Sequence, residues 1–203
     1  MNSSGVKLNR DFYERDDVVS ISRQLIGKVL CTRIEGQCTA GMITETEAYC
    51  GRNDKACHAN NGLRTSRTET MYGAGGHSYI YLCYGIHHLF NVVTNREDSA
   101  DAVLIRSIEP VEGIKTILNR RNRIHMEPGV CNGPGKLTRA LAITTSLDGT
   151  DLLGDCIWIE DRKKTFPDSV IAESARIGID YAGDDASRPW RFYLKDTPWI
   201  SRR

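Results

Sequence analysis

Lys28-Val29-Leu30-Cys31-Thr32-Arg33-Ile34 and Gly41-Met42-Ile43-Thr44-Glu45-Thr46-Glu47-Ala48-Tyr49, with the polar turn Glu35-Gly36-Gln37 between them, read as two extended segments of a β-hairpin. β-Branched and apolar residues dominate both runs, and glycine and charge punctuate them. Upstream, Asp16-Asp17 caps a helix from Val18 to Leu25 that Gly27 ends. Downstream, the glycine-rich loop Tyr72-Gly73-Ala74-Gly75-Gly76-His77 leads into a second hairpin, with strands at 78–84 and 89–94 around Gly85. A short apolar strand follows at 102–107. Glu109-Pro110 is expected to open a helix carrying Val111, Ile114, Ile117 and Leu118 at helical spacing, with Arg120-Arg121-Asn122-Arg123 as its solvated end. Strands return at Cys156-Ile157-Trp158-Ile159 and Arg191-Phe192-Tyr193-Leu194. Strands dominate first, helices and loops follow, and no regular β-α-β alternation is present, so the fold class is α+β. We expect one compact domain over residues 1–203, with 1–7 flexible. Its sheet is mixed and largely antiparallel, with one hairpin protruding and helices around it.

A chain of 203 residues that is 40% hydrophobic can bury one large core. The N-terminus lacks the basic-then-apolar pattern of a signal peptide, and no apolar run approaches membrane-spanning length. The expectation is an intracellular protein, in the cytoplasm or nucleoid (the nucleus in a eukaryote), without a membrane partner. Seven scattered cysteines with no Cys-x-x-Cys pair suit reduced thiols. Cys50, Cys57, His58 and His77 match no common zinc spacing, so no metal or cofactor is expected. The net charge of +1 excludes a binder that works through bulk positive charge, and any nucleic-acid footprint must be local.

Three features could carry chemistry. Glu45 and Glu47 lie two residues apart on one face of a strand, either the wet face of an edge strand or a carboxylate in a cleft acting as general base. Tyr79, Tyr81 and Tyr84 crowd one hairpin, Tyr84 beside Gly85 at the turn, where an exposed ring can wedge into stacked bases. The run from Gly129 to Lys136 resembles a nucleotide-binding P-loop but fails on three counts. Its spacing is one residue too long, Leu137 follows the lysine, and Pro134 removes a donor. It reads instead as a turn whose N–H groups and Lys136 can hold a backbone phosphate.

In order, Thr44-Glu45-Thr46-Glu47-Ala48-Tyr49, Ala56-Cys57-His58, the 79–85 hairpin, Asn91, Arg106, Asn132-Gly133-Pro134-Gly135-Lys136-Leu137 and Arg188-Pro189-Trp190-Arg191-Phe192-Tyr193 resemble the alkyladenine (3-methyladenine) DNA glycosylase family. The resemblance runs from Leu8 to Ser201. Separately from the resemblance, we expect a monomer; the resemblance implies a monofunctional enzyme, acting on damaged double-stranded DNA, that flips alkylated or deaminated purines out of the duplex and hydrolyses their glycosidic bond. It selects Glu47 over Glu45 as the base that activates water, with Arg106 and the carbonyl of Ile179 beside that water. Tyr49, His58 and Tyr81 become walls around the flipped base, and Asn91 crowds the exocyclic amine of guanine. Tyr84 becomes the wedge, with Arg67, His87 and Lys136 as further DNA contacts. Two other readings stay open on the residues alone: a nucleic-acid-binding module without catalysis, and a carboxylate-pair hydrolase of free nucleosides.

Overall fold

The computed structural model describes residues 5–202. In chain order the elements are β1 (Val6–Lys7), α1 (Arg10–Tyr13), α2 (Val18–Leu25), β2 (Val29–Ile34), β3 (Gln37–Tyr49), β4 (Ser78–Cys83), β5 (His87–Thr94), β6 (Asp101–Glu112), α3 (Ile114–Arg121), α4 (Pro134–Ala140), β7 (Ile157–Asp161), β8 (Ile171–Ser174) and β9 (Arg191–Leu194), joined by loops and short 3-10 turns. The strands form one sheet in the order β1-β7-β2-β3-β6-β5-β4, with β9 added to β3 and β8 to β9. Every ladder is antiparallel. The α+β class holds.

β3 is the spine. Its first half pairs with β2, its second half with β9, and β6 runs along its other edge. Glu45 and Glu47 therefore sit inside the sheet, flanked by β6 and β9, and the edge-strand reading of this segment fails. Period-2 alternation then separates the two faces. Ile80, Val92, Val103 and Ile105 join Ile21 and Leu25 of α2 in the main core. Their neighbours Tyr79, Val93 and Ala102 enter a second cluster with Met71 and Tyr72, against which Tyr49 and Tyr81 pack.

Local chemistry explains the boundaries. Asp17 caps α2 by accepting the Ser20 N–H at 2.9 Å, and Gly27 turns the chain away at φ +87°. The helix expected to open at Glu109-Pro110 begins instead at Ile114, and residues 109–112 extend β6. Beyond Leu104 β5 no longer pairs with β6, so a proline without an N–H is tolerated on a strand with one β partner. The turn expected around Pro134 is the start of α4, where proline at the first helical position loses no hydrogen bond. Of the N-terminal stretch expected to be flexible, residues 1–4 lie outside the described residues, and Val6 and Lys7 pair with β7. Among the described residues no helix is long and apolar enough to cross a membrane.

Candidate active site

One row of register partners crosses the sheet: Tyr79 opposite Asn91, Asn91 opposite Leu104, Leu104 opposite Glu47, and Glu47 opposite Arg191. Two residues further along their strands, and so on the same face, stand Tyr81, Arg106 and Tyr49. Loops close this floor into a cavity of about 450 Å³, with Ala56 to His58, Arg67, Ile177 to Ile179 and Tyr181 as its sides.

Glu47 is fully buried directly behind this floor. Its Oε2 accepts the Tyr49 hydroxyl at 2.7 Å and Arg106 Nη1 at 3.2 Å, and its Oε1 accepts the Ile177 N–H at 2.7 Å. Tyr49, Arg106 and Ile177 all line the cavity, so the carboxylate is one residue away from any occupant in three directions. Burial, and then the Glu47 charge, raise the Tyr49 phenol well above its usual range, which keeps it a donor to that carboxylate. Burial alone would lower Arg106, but Glu47 and Glu45 outweigh it and hold the guanidinium charged.

Glu45 has a different task. Its oxygens accept Arg106 Nε at 3.0 Å, Arg191 Nε at 2.7 Å, Ser107 Oγ at 3.0 Å, and both the N–H and hydroxyl of Ser201. Burial pushes its carboxyl upward, but Arg106, the Ser201 N–H and Arg191 outweigh that and hold it below the usual range. Glu45 thus anchors Arg106 so that its other arm reaches Glu47. With both oxygens taken up by Arg106, Arg191, Ser107 and Ser201, it is unavailable as the second member of a catalytic carboxylate pair.

On the opposite wall the Tyr79 and Tyr81 rings lie 5.5 Å apart, and His58 meets Tyr81 edge-on at 4.7 Å. His58 Nε2 is 3.2 Å from Arg67 and Nδ1 is 2.9 Å from the Tyr79 hydroxyl. Because the guanidinium only donates, we assign Nε2 as acceptor and the proton to Nδ1. Burial, with the Arg67 charge second, pushes His58 down to about 4, so the ring is neutral at physiological pH. Asn91 is buried, and its amide N–H groups donate to the carbonyls of Tyr79 and Leu89.

The methylpurine-DNA glycosylase (MPG) family model matches residues 11–198. The chain belongs to this family. It is 45% identical to a protein of Desulfitobacterium hafniense (strain Y51) named "Putative 3-methyladenine DNA glycosylase", covering 96% of this chain and 98% of that one. Proteins of the same name from Natranaerobius thermophilus and Methanocella arvoryzae are 42% and 43% identical, each covering 97% of this chain and 99% and 96% of their own. A DNA glycosylase is a hydrolase of N-glycosyl bonds, and its place is in DNA repair.

In this member of the MPG family the mouth of the cavity is apolar and exposed. Tyr84 is 91% exposed at the tip of the β4–β5 hairpin with φ +52°, a left-handed conformation that a bulky residue adopts at a cost of about 1–2 kcal/mol. Ile86 beside it and Tyr181 across the opening are also exposed. His87 packs on Gly135 at the start of α4, where an added Cβ would lie 3.0 Å from the imidazole. Lys136, one residue on, is held by Asn132 at 2.8 Å. Tyr84, His87 and Lys136 thus share one region of the surface. Arg67 lines the cavity together with Tyr84, its guanidinium 5.0 Å over the Tyr81 ring.

Ile179 lines the cavity, with its carbonyl accepting the Ala182 N–H at 2.9 Å; the backbone group that reaches Glu47 is the N–H of Ile177. Sequence reasoning missed that group and also a buried pair behind the wall. Arg176 donates to both oxygens of Asp54 and to the Ala48 carbonyl, and its guanidinium packs on the Tyr49 ring at 4.8 Å. The sole signal was an arginine set directly before the apolar Ile177. Cys50, Cys57, His58 and His77 make no metal cluster. His77 bonds the Ala74 carbonyl, and among the described residues no group of three or more His, Cys, Asp or Glu is placed to hold an ion.

Proposed function

We propose that the protein, acting as a monomer inside the cell, removes alkylated or deaminated purines from duplex DNA by base flipping and Glu47-assisted hydrolysis, and that it does not cleave the strand. The observation that carries this reading is the Glu47 carboxylate directly behind the floor of a tyrosine-lined cavity, bound to two of the residues that an extruded base would touch. A cavity of about 450 Å³ is in the range of small-molecule sites and takes a purine.

Extrusion costs a few kcal/mol of stacking and pairing, less for a damaged base, so flipping itself favours lesions. Tyr84, exposed and held in a strained turn that folding alone does not favour, fills the gap in the stack. The base enters between Tyr49, His58 and Tyr81, and the position of Asn91 in the cavity lining supports its crowding a guanine amine. A purine of the 3-methyladenine or 7-methylguanine type carries positive charge and leaves readily. A neutral base of the hypoxanthine or ethenoadenine type must take up a proton as it departs. Glu47 orients and deprotonates the attacking water, and its negative charge favours the oxocarbenium-like sugar. Arg106 fixes the Glu47 carboxylate. Among the described residues no lysine lines the cavity to form a Schiff base with the sugar, which supports hydrolysis without strand cleavage.

The test is duplex DNA with a single hypoxanthine or ethenoadenine, incubated with protein and then heated in alkali. Strand breaks after alkali and none before it are the expected result. The Glu47→Gln variant should bind the same duplex and lose about 10²- to 10⁴-fold in single-turnover rate. Full activity in that variant would remove Glu47 as the base.

A further inference from the structure

Arg67 is an exposed cation whose contacts are the walls of the cavity it helps to form. Its guanidinium lies 5.0 Å over Tyr81 and 3.2 Å from the acceptor nitrogen of His58. Among the described residues no carboxylate lies within 4.0 Å of it. Arg64, three residues earlier, is paired instead with Glu69 and Asp98. A base that stacks on Tyr81 and bonds to His58 uses the same two partners that this guanidinium holds.

We propose that Arg67 is a resident gate: a flat cation of the protein itself that covers the Tyr81 ring in the cavity wall and leaves it when a DNA phosphate offers a stronger partner. The inference rests on the base-flipping reading above. A guanidinium is suited to both states, because it stacks on an aromatic face in one and binds phosphate through a planar fork in the other. While Arg67 is in place the competent state is a minor fraction, and the apparent affinity for any base falls by that fraction, whatever the charge of the base. Loose bases in solution therefore compete with Arg67 for these partners, and the backbone of a bound duplex relieves that competition.

The experiment is a titration of free ethenoadenine base and free 7-methylguanine, without DNA, into the wild-type protein and into Arg67→Ala and Arg67→Gln, with thermal melting to confirm that all are folded. Loss of one cation–π contact and one charge-assisted hydrogen bond predicts about tenfold tighter binding of both bases by Arg67→Ala. Arg67→Gln, which can still donate to His58 but places no charge on Tyr81, should fall between. On lesion duplex, the log–log salt dependence of Arg67→Ala binding should be shallower by about one phosphate. Unchanged or weaker base affinity overturns the gate, and so does a change confined to one base, which would make Arg67 a charge filter. An unchanged salt slope overturns its transfer to phosphate. None of these readings needs turnover. A wild-type protein that leaves lesion duplex intact would sink the glycosylase reading alone, and equal base affinities would sink the gate whatever the activity.

Discussion

Replacing Tyr84 separates folding from function in opposite directions. The residue is 91% exposed, so only about a tenth of a tyrosine's ~200 Å² is covered. At about 25 cal/mol per Å² that ~20 Å² contributes about 0.5 kcal/mol to folding. Against it stands φ +52°, a conformation costing a residue with a Cβ about 1–2 kcal/mol. Tyr84→Ala keeps that strain and loses little packing, so its stability should fall by less than about 1 kcal/mol. Tyr84→Gly relieves the strain but loosens the unfolded chain by about 0.4–1 kcal/mol, leaving it about 0.5–1 kcal/mol more stable than the alanine variant. For a chain of this length the difference is about 1–4 °C in melting temperature. Both variants should nevertheless lose at least tenfold in single-turnover excision from duplex, because neither fills the vacated stack. Thermal melts of the three proteins beside excision rates on one lesion duplex check both halves. A loss of 3 kcal/mol or more in Tyr84→Ala would show that the ring holds the fold, and undiminished excision in both variants would show that it is not the wedge.

Two further outcomes follow from the buried groups. His58 is neutral when folded, pushed down to about 4, while its unfolded value is near 6.5. As pH falls from about 6.5 to 4 the unfolded chain takes up a proton that the folded one refuses, so this stability is present at neutral pH and lost across that window. The loss is about 2 kcal/mol after allowing for partial exposure. Urea melts at pH 7 and pH 4.5 should show a larger drop for the wild type than for His58→Gln, and equal drops would refute the burial of the ring. Replacing Arg176 by Leu strands the buried Asp54 charge, and urea unfolding should report a loss of about 3–5 kcal/mol; a loss under 1 kcal/mol would mean that the pair is solvated.

Local signals carried the reading of the regular elements. α2 was legible because the Asp17 cap, the buried positions Val18, Ile21 and Leu25, and the Gly27 stop all act within a few residues of each other. The two hairpins were legible for the same reason, with turn residues between extended runs. Pro110 misled because a proline opens a helix as readily as it sits on a strand with one partner, and only the end of the β5 ladder decides between them. Gly133-Pro134-Gly135 misled in the other direction, since its helical continuation depends on packing against β5 and β6.

What the sequence determined on its own was the alternation that puts Glu45 and Glu47 on one face of their strand and Tyr79 and Tyr81 on one face of theirs. That alternation is a property of the backbone and needs no distant partner. Spacing could not say which of two equivalent carboxylates would bond to the residues that line the cavity. That choice belongs to tertiary structure: Ser201, 156 residues from Glu45 along the chain, and Arg191 take up the acceptors of Glu45, while Ile177, 130 residues from Glu47, orients Glu47 behind the cavity floor. Arg67 shows the same division. Its charge is written in the chain, but whether it meets a phosphate or the face of Tyr81 depends on which surfaces folding brings within a few ångströms.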